Sequence, residues 1–434
     1  MRQFLPISAL LLGSAFLLFA GGVNGLILPV RGTAEGFSSF SLGLLGTGWA
    51  IGYVSGCLAT PGLVSRVGHI RSFGVMAALA AISILASLLL LTPWAWIPLR
   101  AISGFCFAGA AMIVESWLSE RAAPSERGRV FGIYTMVNLF SSTAGQMVLT
   151  LGDTRGFLFF VVGAIFYCMA LVPTAISSSA SPKPLFNVKI DLRGLLRNSP
   201  VALFGVFLVG ISNSAFGTLS AVYAERVGLE LTSIALFASL PVLAGAVAQV
   251  PVGYLSDRTD RRWVLVGLAV VAASSELAFI LWQPANQAAN LALAAGFGAA
   301  IFSMYPVILA HANDHAAEGT AIQVSGGLLM VFGFGGIAGP LIAGVGMSQI
   351  GPAGLFATSI ASHIILILFT VYRIRARSAV PDADKQSFSA TPMAKNATPA
   401  TAVLAASDAE IREELNRDHE PPADAQENTP ENPS

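Results

Sequence analysis

Twelve long apolar stretches lie between residues 5 and 374, and they constrain the fold more than any other feature. They fall at 5–29, 40–64, 71–91, 94–119, 128–151, 156–177, 199–223, 231–256, 262–283, 288–311, 319–347 and 353–374. A helix needs about 20 mostly apolar residues to cross a bilayer. Composition closes the soluble alternative, because only 11% of the 434 residues are Asp, Glu, Lys or Arg. A soluble domain carries about 25%. The expected fold is an all-α integral membrane protein with 12 transmembrane helices. The first stretch has only Arg2 before it and no Ala-x-Ala site after it, so an uncleaved first helix is expected rather than a signal peptide.

The chain divides at a hydrophilic linker. Between Ile176 and Pro200 come a serine run, two prolines and four basic residues, Lys183, Lys189, Arg193 and Arg197. The expected organisation is a six-helix bundle over 1–178, a linker over 179–198, a second six-helix bundle over 199–378 and an acidic tail over 379–434. Charge follows the same map. Residues 1–378 hold 20 basic and 13 acidic residues, and the tail holds 4 and 11. The tail has too few apolar residues to build a core, so a solvated, disordered segment is expected, with a short helix around 402–417 as an option. With the N-terminus inside, 16 Lys and Arg fall on one side and 4 on the other side or within spans. Short basic loops mark the cytoplasmic side. Both termini are therefore expected in the cytoplasm.

Two loops are copies of one another. Gly56 to Arg71 follows the second span and Gly253 to Arg262 follows the eighth, with Gly56 and Gly253 separated by 197 residues, as are Thr60 and Asp257. Repetition of this kind points to two duplicated halves. Both segments resemble the loop signature of the major facilitator superfamily, Gly-x-Leu-x-Asp-Arg-x-Gly-Arg-Arg/Lys. The resemblance implies two six-helix bundles that transport by alternating access, and a cytoplasmic charge lock in which Asp pairs with Arg. Gly56, Arg66, Arg71, Gly253, Asp257, Arg258 and Arg262 would form that lock, with Thr60 standing where the first copy expects Asp. Arg100-x3-Gly104-x4-Gly109, the 124–129 loop with Arg127 and Arg129, and the glycine-rich run Gly333 to Pro340 are similar to further motifs of the superfamily. Ala144-Gly145-Gln146 echoes the last of these. Met304-Tyr305-Pro306, and Glu115-Ser116-Trp117 with Arg127, resemble the bacterial YcaD-like permeases.

Ionisable residues inside spans suggest function by default. Arg100 is the leading candidate, about 10 Å below the outer end of the fourth span at 1.5 Å per residue. The superfamily lines its central cavity with spans 1, 4, 7 and 10, which would place Arg100 on the substrate or proton path. Glu115, on the same helical stripe about 22 Å away, is expected in the cytoplasmic network with Arg66 or Arg127. Glu276 and His363 sit in peripheral spans and are expected to pack or anchor. Asn24, Asn138, Asn213, Ser303 and Tyr305, with Tyr53, Gln146, Gln249 and Gln323 beside them, are the neutral polar candidates for the pathway, each equally able to bond a neighbouring helix. Cys57, Cys106 and Cys168 lie in apolar runs without metal-ligand spacing.

No nucleotide loop, zinc motif or nucleophile elbow is present in the sequence. The expectation is a non-enzymatic, proton-coupled secondary transporter of a small organic solute, neutral or anionic. It is expected to be a monomer in lipid, with no cofactor, metal or nucleic-acid partner. The alternative is a receptor or scaffold signalling through the acidic tail.

Overall fold

A computed structural model of the chain describes residues 4–122, 126–176, 191–317 and 320–381, and in the tail residues 385–386, 388 and 397–401. Among the described residues the regular structure is helical. The elements before the linker are α1 (Phe4–Ala34), α2 (Ser39–Val67), α3 (His69–Leu89), α4 (Pro93–Arg121), α5 (Arg127–Met147), α6 (Leu158–Met169) and α7 (Leu171–Ile176). The short α8 (Leu192–Asn198) stands in the linker. After it come α9 (Pro200–Arg226), α10 (Leu231–Arg258), α11 (Arg261–Leu281), α12 (Gln287–Asn313), α13 (Ala321–Ile350) and α14 (Gly354–Ala376).

Among the described residues, 11 helical segments are long and apolar enough to cross a membrane, with Leu158–Ile176 counting as one. That segment breaks between α6 and α7 because Pro173 lacks an N–H and its ring crowds the carbonyl of Met169, four residues back, where α6 ends. The expected fifth span is the exception. Thr135, Asn138, Ser141, Ser142, Thr143 and Gln146 interrupt the apolar run of α5. Large apolar side chains, among them Trp94, Val247, Val250 and Leu368, stand on the outer surface, as lipid-facing positions do. Serine and threonine inside spans are satisfied within their own helix: Ser83 Oγ donates to the Leu79 carbonyl at 2.7 Å and Thr60 Oγ1 to the Gly56 carbonyl at 2.6 Å.

Small residues set the closest packing. A Cβ on Gly145 of α5 would stand 2.1 Å from the Phe19 carbonyl of α1. One on Gly335 of α13 would stand 2.2 Å from the Phe207 carbonyl of α9. The two glycine motifs read from the sequence are thus backbone-to-backbone contacts, one before the linker and one after it. Before the linker, α2 packs mainly on α4 and α1 on α5; after it, α9 packs on α13 and α10 on α12.

A main seam joins the two sets of helices, with lesser contacts of α9 on α1 and α2 and of α10 on α5. It runs along α2 and α13, where Thr47 Oγ1 donates to the Ile337 carbonyl at 2.9 Å and the Phe40 N–H to Ser348 Oγ at 3.1 Å. Gly43 faces the Pro340 carbonyl and Gly333 faces Val54 on the same line. Ser239 of α10 also meets Met147 of α5. These contacts lie toward the end of the bundle where α1 finishes. The opposite end carries Arg66, Arg121, Arg258, Arg373 and Arg375 in last helical turns and is called the basic end below.

Candidate functional site

A central cavity with about 940 Å³ of space, its mouth included, opens among α1, α2, α4, α5, α6, α9, α10 and α12. Its polar wall begins on α4. Arg100, Ser103 and Phe107 are three and four residues apart, so they share one helical face, and all three line the cavity. Asn24 of α1 reaches the same wall and donates from Nδ2 to Ser103 Oγ at 3.0 Å. Tyr167 of α6 stands beside them, and Asn213 and Thr218 of α9 and Gln146 of α5 complete the polar set. Trp49, Phe107 and Phe216 supply aromatic faces.

Two features give this cavity chemical character. Among the described residues Arg100 has no carboxylate within ion-pair distance, so its charge is open to a ligand. In addition, the side-chain carbonyl oxygens of Asn24, Gln146 and Asn213 are buried without hydrogen-bond partners among the described residues. A buried polar atom left unpaired costs about 1–3 kcal/mol. The walls therefore present one cation and three acceptors in search of donors.

The sequence candidates separate clearly. Arg100, Asn24 and Asn213 meet in this cavity. Asn138 is buried on α5 and is not among the residues that line it. Ser303 is fully buried and spends its hydroxyl on the Ala299 carbonyl at 2.7 Å. Tyr305 is buried against Phe332 with ring centroids 5.9 Å apart. Tyr167, Ser103 and Trp49 were not among the candidates. The positions of Ser103 and Phe107, on the Arg100 face of α4, are the signal that would have found two of the wall residues.

The charge network at the basic end includes the expected Asp257 and Arg262 and adds Arg261, Asp260 and Asp314. Arg261, 1% exposed, donates from Nε to Asp314 Oδ2 at 2.7 Å and from Nη1 to Ser256 Oγ at 3.0 Å. It also approaches Asp257 at 3.3 Å. Arg262 is clamped by Asp260 at 2.7 Å and donates to the Arg377 carbonyl at 2.8 Å. Partial burial would raise the Asp260 carboxyl, but hydrogen bonds from Arg262 hold it below its ordinary value. Arg258 instead turns outward over the Tyr254 ring, 3.4 Å from its centroid.

In the first copy Gly56 packs on the α4 backbone beside Phe105, and Gly68, at φ 85°, makes the tight turn into α3. Arg66 and Arg71 are exposed. Glu115, 1% exposed, accepts from the Tyr134 hydroxyl at 3.0 Å and from the Thr398 hydroxyl of the tail, in place of the expected Arg66. Arg127 opens α5, and its side chain lies outside the described residues, as do Lys183, Lys189 and residues 402–417. Glu276 and His363, read separately from the sequence, are one fully buried pair at 2.9 Å between α11 and α14.

The Major Facilitator Superfamily model matches residues 10–322 and 202–409. An uncharacterized MFS-type transporter, YcaD, of Salmonella arizonae is 26% identical over 380 residues, covering 87% of this chain and 97% of that protein. Among solved structures, the nucleoside transporter NupG matches with a TM-score of 0.70 at 13% identity, over 87% of this chain and 100% of that one. A bacterial homolog of the human lysosomal transporter Spinster, inward-facing and unoccupied, matches with a TM-score of 0.69 at 16% identity, over 88% and 99%. At such identities these structures speak for the fold.

Proposed function

This chain belongs to the major facilitator superfamily and is a multi-pass membrane transporter, and from that premise we propose that it carries a small organic anion bearing hydroxyl or N–H donors. The observation that carries this reading is the cavity wall itself, where unpaired Arg100 faces the partnerless carbonyls of Asn24, Gln146 and Asn213. A carboxylate or phosphate on the solute would pair with Arg100, and its donors would satisfy the amides. Trp49, Phe107 and Phe216 would hold its apolar or planar part.

Transport proceeds by alternating access, with the six spans before the linker rocking against the six after it, as repeated transporter halves do. The support is that the seam between them follows one end of α2 and α13. The basic end faces the cytoplasm, which puts both termini there. Glu115, buried and held only by hydroxyl groups among the described residues, is the acid suited to carry a coupling proton. The protein works as a monomer. The comparisons lend the receptor alternative no support.

The test is a thermal-shift screen of small organic anions and neutral solutes on purified protein, wild type beside Arg100→Ala. A ligand at 100 times its Kd stabilises by about 2.7 kcal/mol. A shift lost in Arg100→Ala and partly kept in Arg100→Lys supports the site. Hits confined to neutral solutes and unchanged by Arg100→Ala refute the anion reading. In proteoliposomes, uptake of the hit at a rate independent of pH refutes proton coupling.

A further inference from the structure

The tail does not simply leave the molecule after α14. Its first docked residues lie on the loop between α10 and α11. Lys385 Nζ donates to the Thr259 carbonyl at 2.8 Å, and the Gln386 N–H donates to Asp314 Oδ1 at 3.0 Å. Arg261, the buried hub of that loop, donates to the Gln386 carbonyl. The Phe388 N–H donates to Asp257 Oδ1 at 2.9 Å. Its ring lies on Gly253, where a Cβ would stand 2.5 Å away, so any larger residue at 253 would displace it.

The later docked residues reach the other set of helices. Tyr53 of α2 donates its hydroxyl to the Ala397 carbonyl at 2.7 Å, and Thr398 donates its own to Glu115 of α4. Thr398 is fully buried, and Ala397, Ala400 and Thr401 are nearly so. The Thr398 N–H is held by Thr401 Oγ1 at 2.7 Å. An acidic, polar tail has no propensity of its own to be buried. Its burial here is bought by specific bonds to groups on both sides of the molecule.

The geometry points to a self-inhibited transporter. We propose that Lys385, Gln386, Phe388 and residues 397–401 form a tethered plug at the basic end. The plug bridges the two sets of helices, occupies the Glu115 carboxylate and holds the seam along α2 and α13 closed until it is withdrawn. This rests on the alternating-access reading. The site it fills accepts an extended, hydroxyl-bearing segment: a backbone carbonyl on Tyr53, a threonine hydroxyl on Glu115 and an aromatic ring on Gly253. Segments that supply those three groups compete with it.

The experiment uses the full chain, wild type beside Thr398→Asp and Phe388→Ala. Thr398→Asp sets a second carboxylate against Glu115, and like charges in contact repel. Hydrogen exchange reads docking directly, since a solvated tail offers its amides no protection. Residues 398–401 should exchange at least about tenfold more slowly than a free chain in the wild type, and at the free-chain rate in Thr398→Asp. Phe388→Ala, which leaves Thr398 intact, should fall between them. Exchange of 398–401 at the free-chain rate in the wild type overturns the plug.

The second readout is labelling of Thr47→Cys, a seam position, by a membrane-impermeant maleimide, with Cys57, Cys106 and Cys168 replaced by Ser. Thr398→Asp should speed labelling several-fold. Equal rates with the tail released overturn the holding role. None of the docked tail residues lines the Arg100 cavity, and exchange reads docking without a ligand, so failure of the plug and failure of the substrate reading are separately visible.

Discussion

The two copies of the loop signature differ more than their spacing suggests. After α10 the loop is welded: Arg261 is buried with Asp314, Asp257 and Ser256, and Arg262 with Asp260 and the end of α14. After α2 there is no acid at the matching place. Thr60 is fully buried and bonds its own helix, while Arg66 and Arg71 reach solvent. One copy is held by charges that must be matched. The other is held by glycine: Gly56 against α4, and Gly68 in the turn. Loss of a single carboxylate is enough to move a motif from one kind of cohesion to the other.

Six substitutions test this contrast, and apparent thermal stability in detergent reads all of them. Arg261→Ala should have the largest effect, about 3–5 kcal/mol, because it strands the buried Asp314 carboxylate. Arg66→Ala in the other copy should change stability by no more than about 0.5 kcal/mol; similar losses at both sites would erase the distinction. Thr60→Asp restores the sequence signature but buries a carboxylate between α2 and α4 beside Gly109. It should cost about 3 kcal/mol rather than gain stability. A stabilised Thr60→Asp protein would mean that Arg66 or Arg71 can turn inward to meet it.

Gly145→Ala and Gly335→Ala test the opposite expectation, that the helices before and after the linker are equivalent where backbones touch. Each places a Cβ within 2.2 Å of a carbonyl oxygen, and each should cost about 1–3 kcal/mol. Unequal costs would extend the asymmetry from the loops into the helix packing. Asp260→Asn should have a small effect, within about 1 kcal/mol, and it carries a pH signature. Because the folded carboxyl lies below its unfolded value, near 3.9, the charged Asp260 adds stability above that pH. That stability is lost as pH falls through the folded value. The Asn variant should lack this part of the acid-side decline and match the wild type once Asp260 is protonated.

The sequence made some of this legible and hid the rest for identifiable reasons. Spans declare themselves by length and apolarity, and Arg100 by the cost of a charge within one. Asn24 and Asn213 were legible because a polar residue in an apolar run has few places to go. Ser303 and Tyr305 looked equivalent to them, yet α12 is apolar on every side, so no periodicity tells which face meets the cavity. Tyr167 and Trp49 were invisible because an aromatic residue in a span reads as lipid-facing. Arg261 was hidden because its partner, Asp314, lies 53 residues away at the far end of another helix. Composition marked the tail as solvated, and composition cannot register the bonds of Ala397 and Thr398 to Tyr53 and Glu115.

The polarity of α5 has a consequence for how the protein is made. A helix interrupted by Asn138, Ser141, Ser142, Thr143 and Gln146 gains little by entering lipid alone. Its companion is α1, which meets it at Gly22, where a Cβ would stand 2.2 Å from the Ser142 carbonyl, and again at Gly145. Were α5 to serve as a fifth span, it would depend on α1, a helix synthesised more than a hundred residues earlier, and damage to the α1 surface at Gly22 would surface as failed insertion of α5.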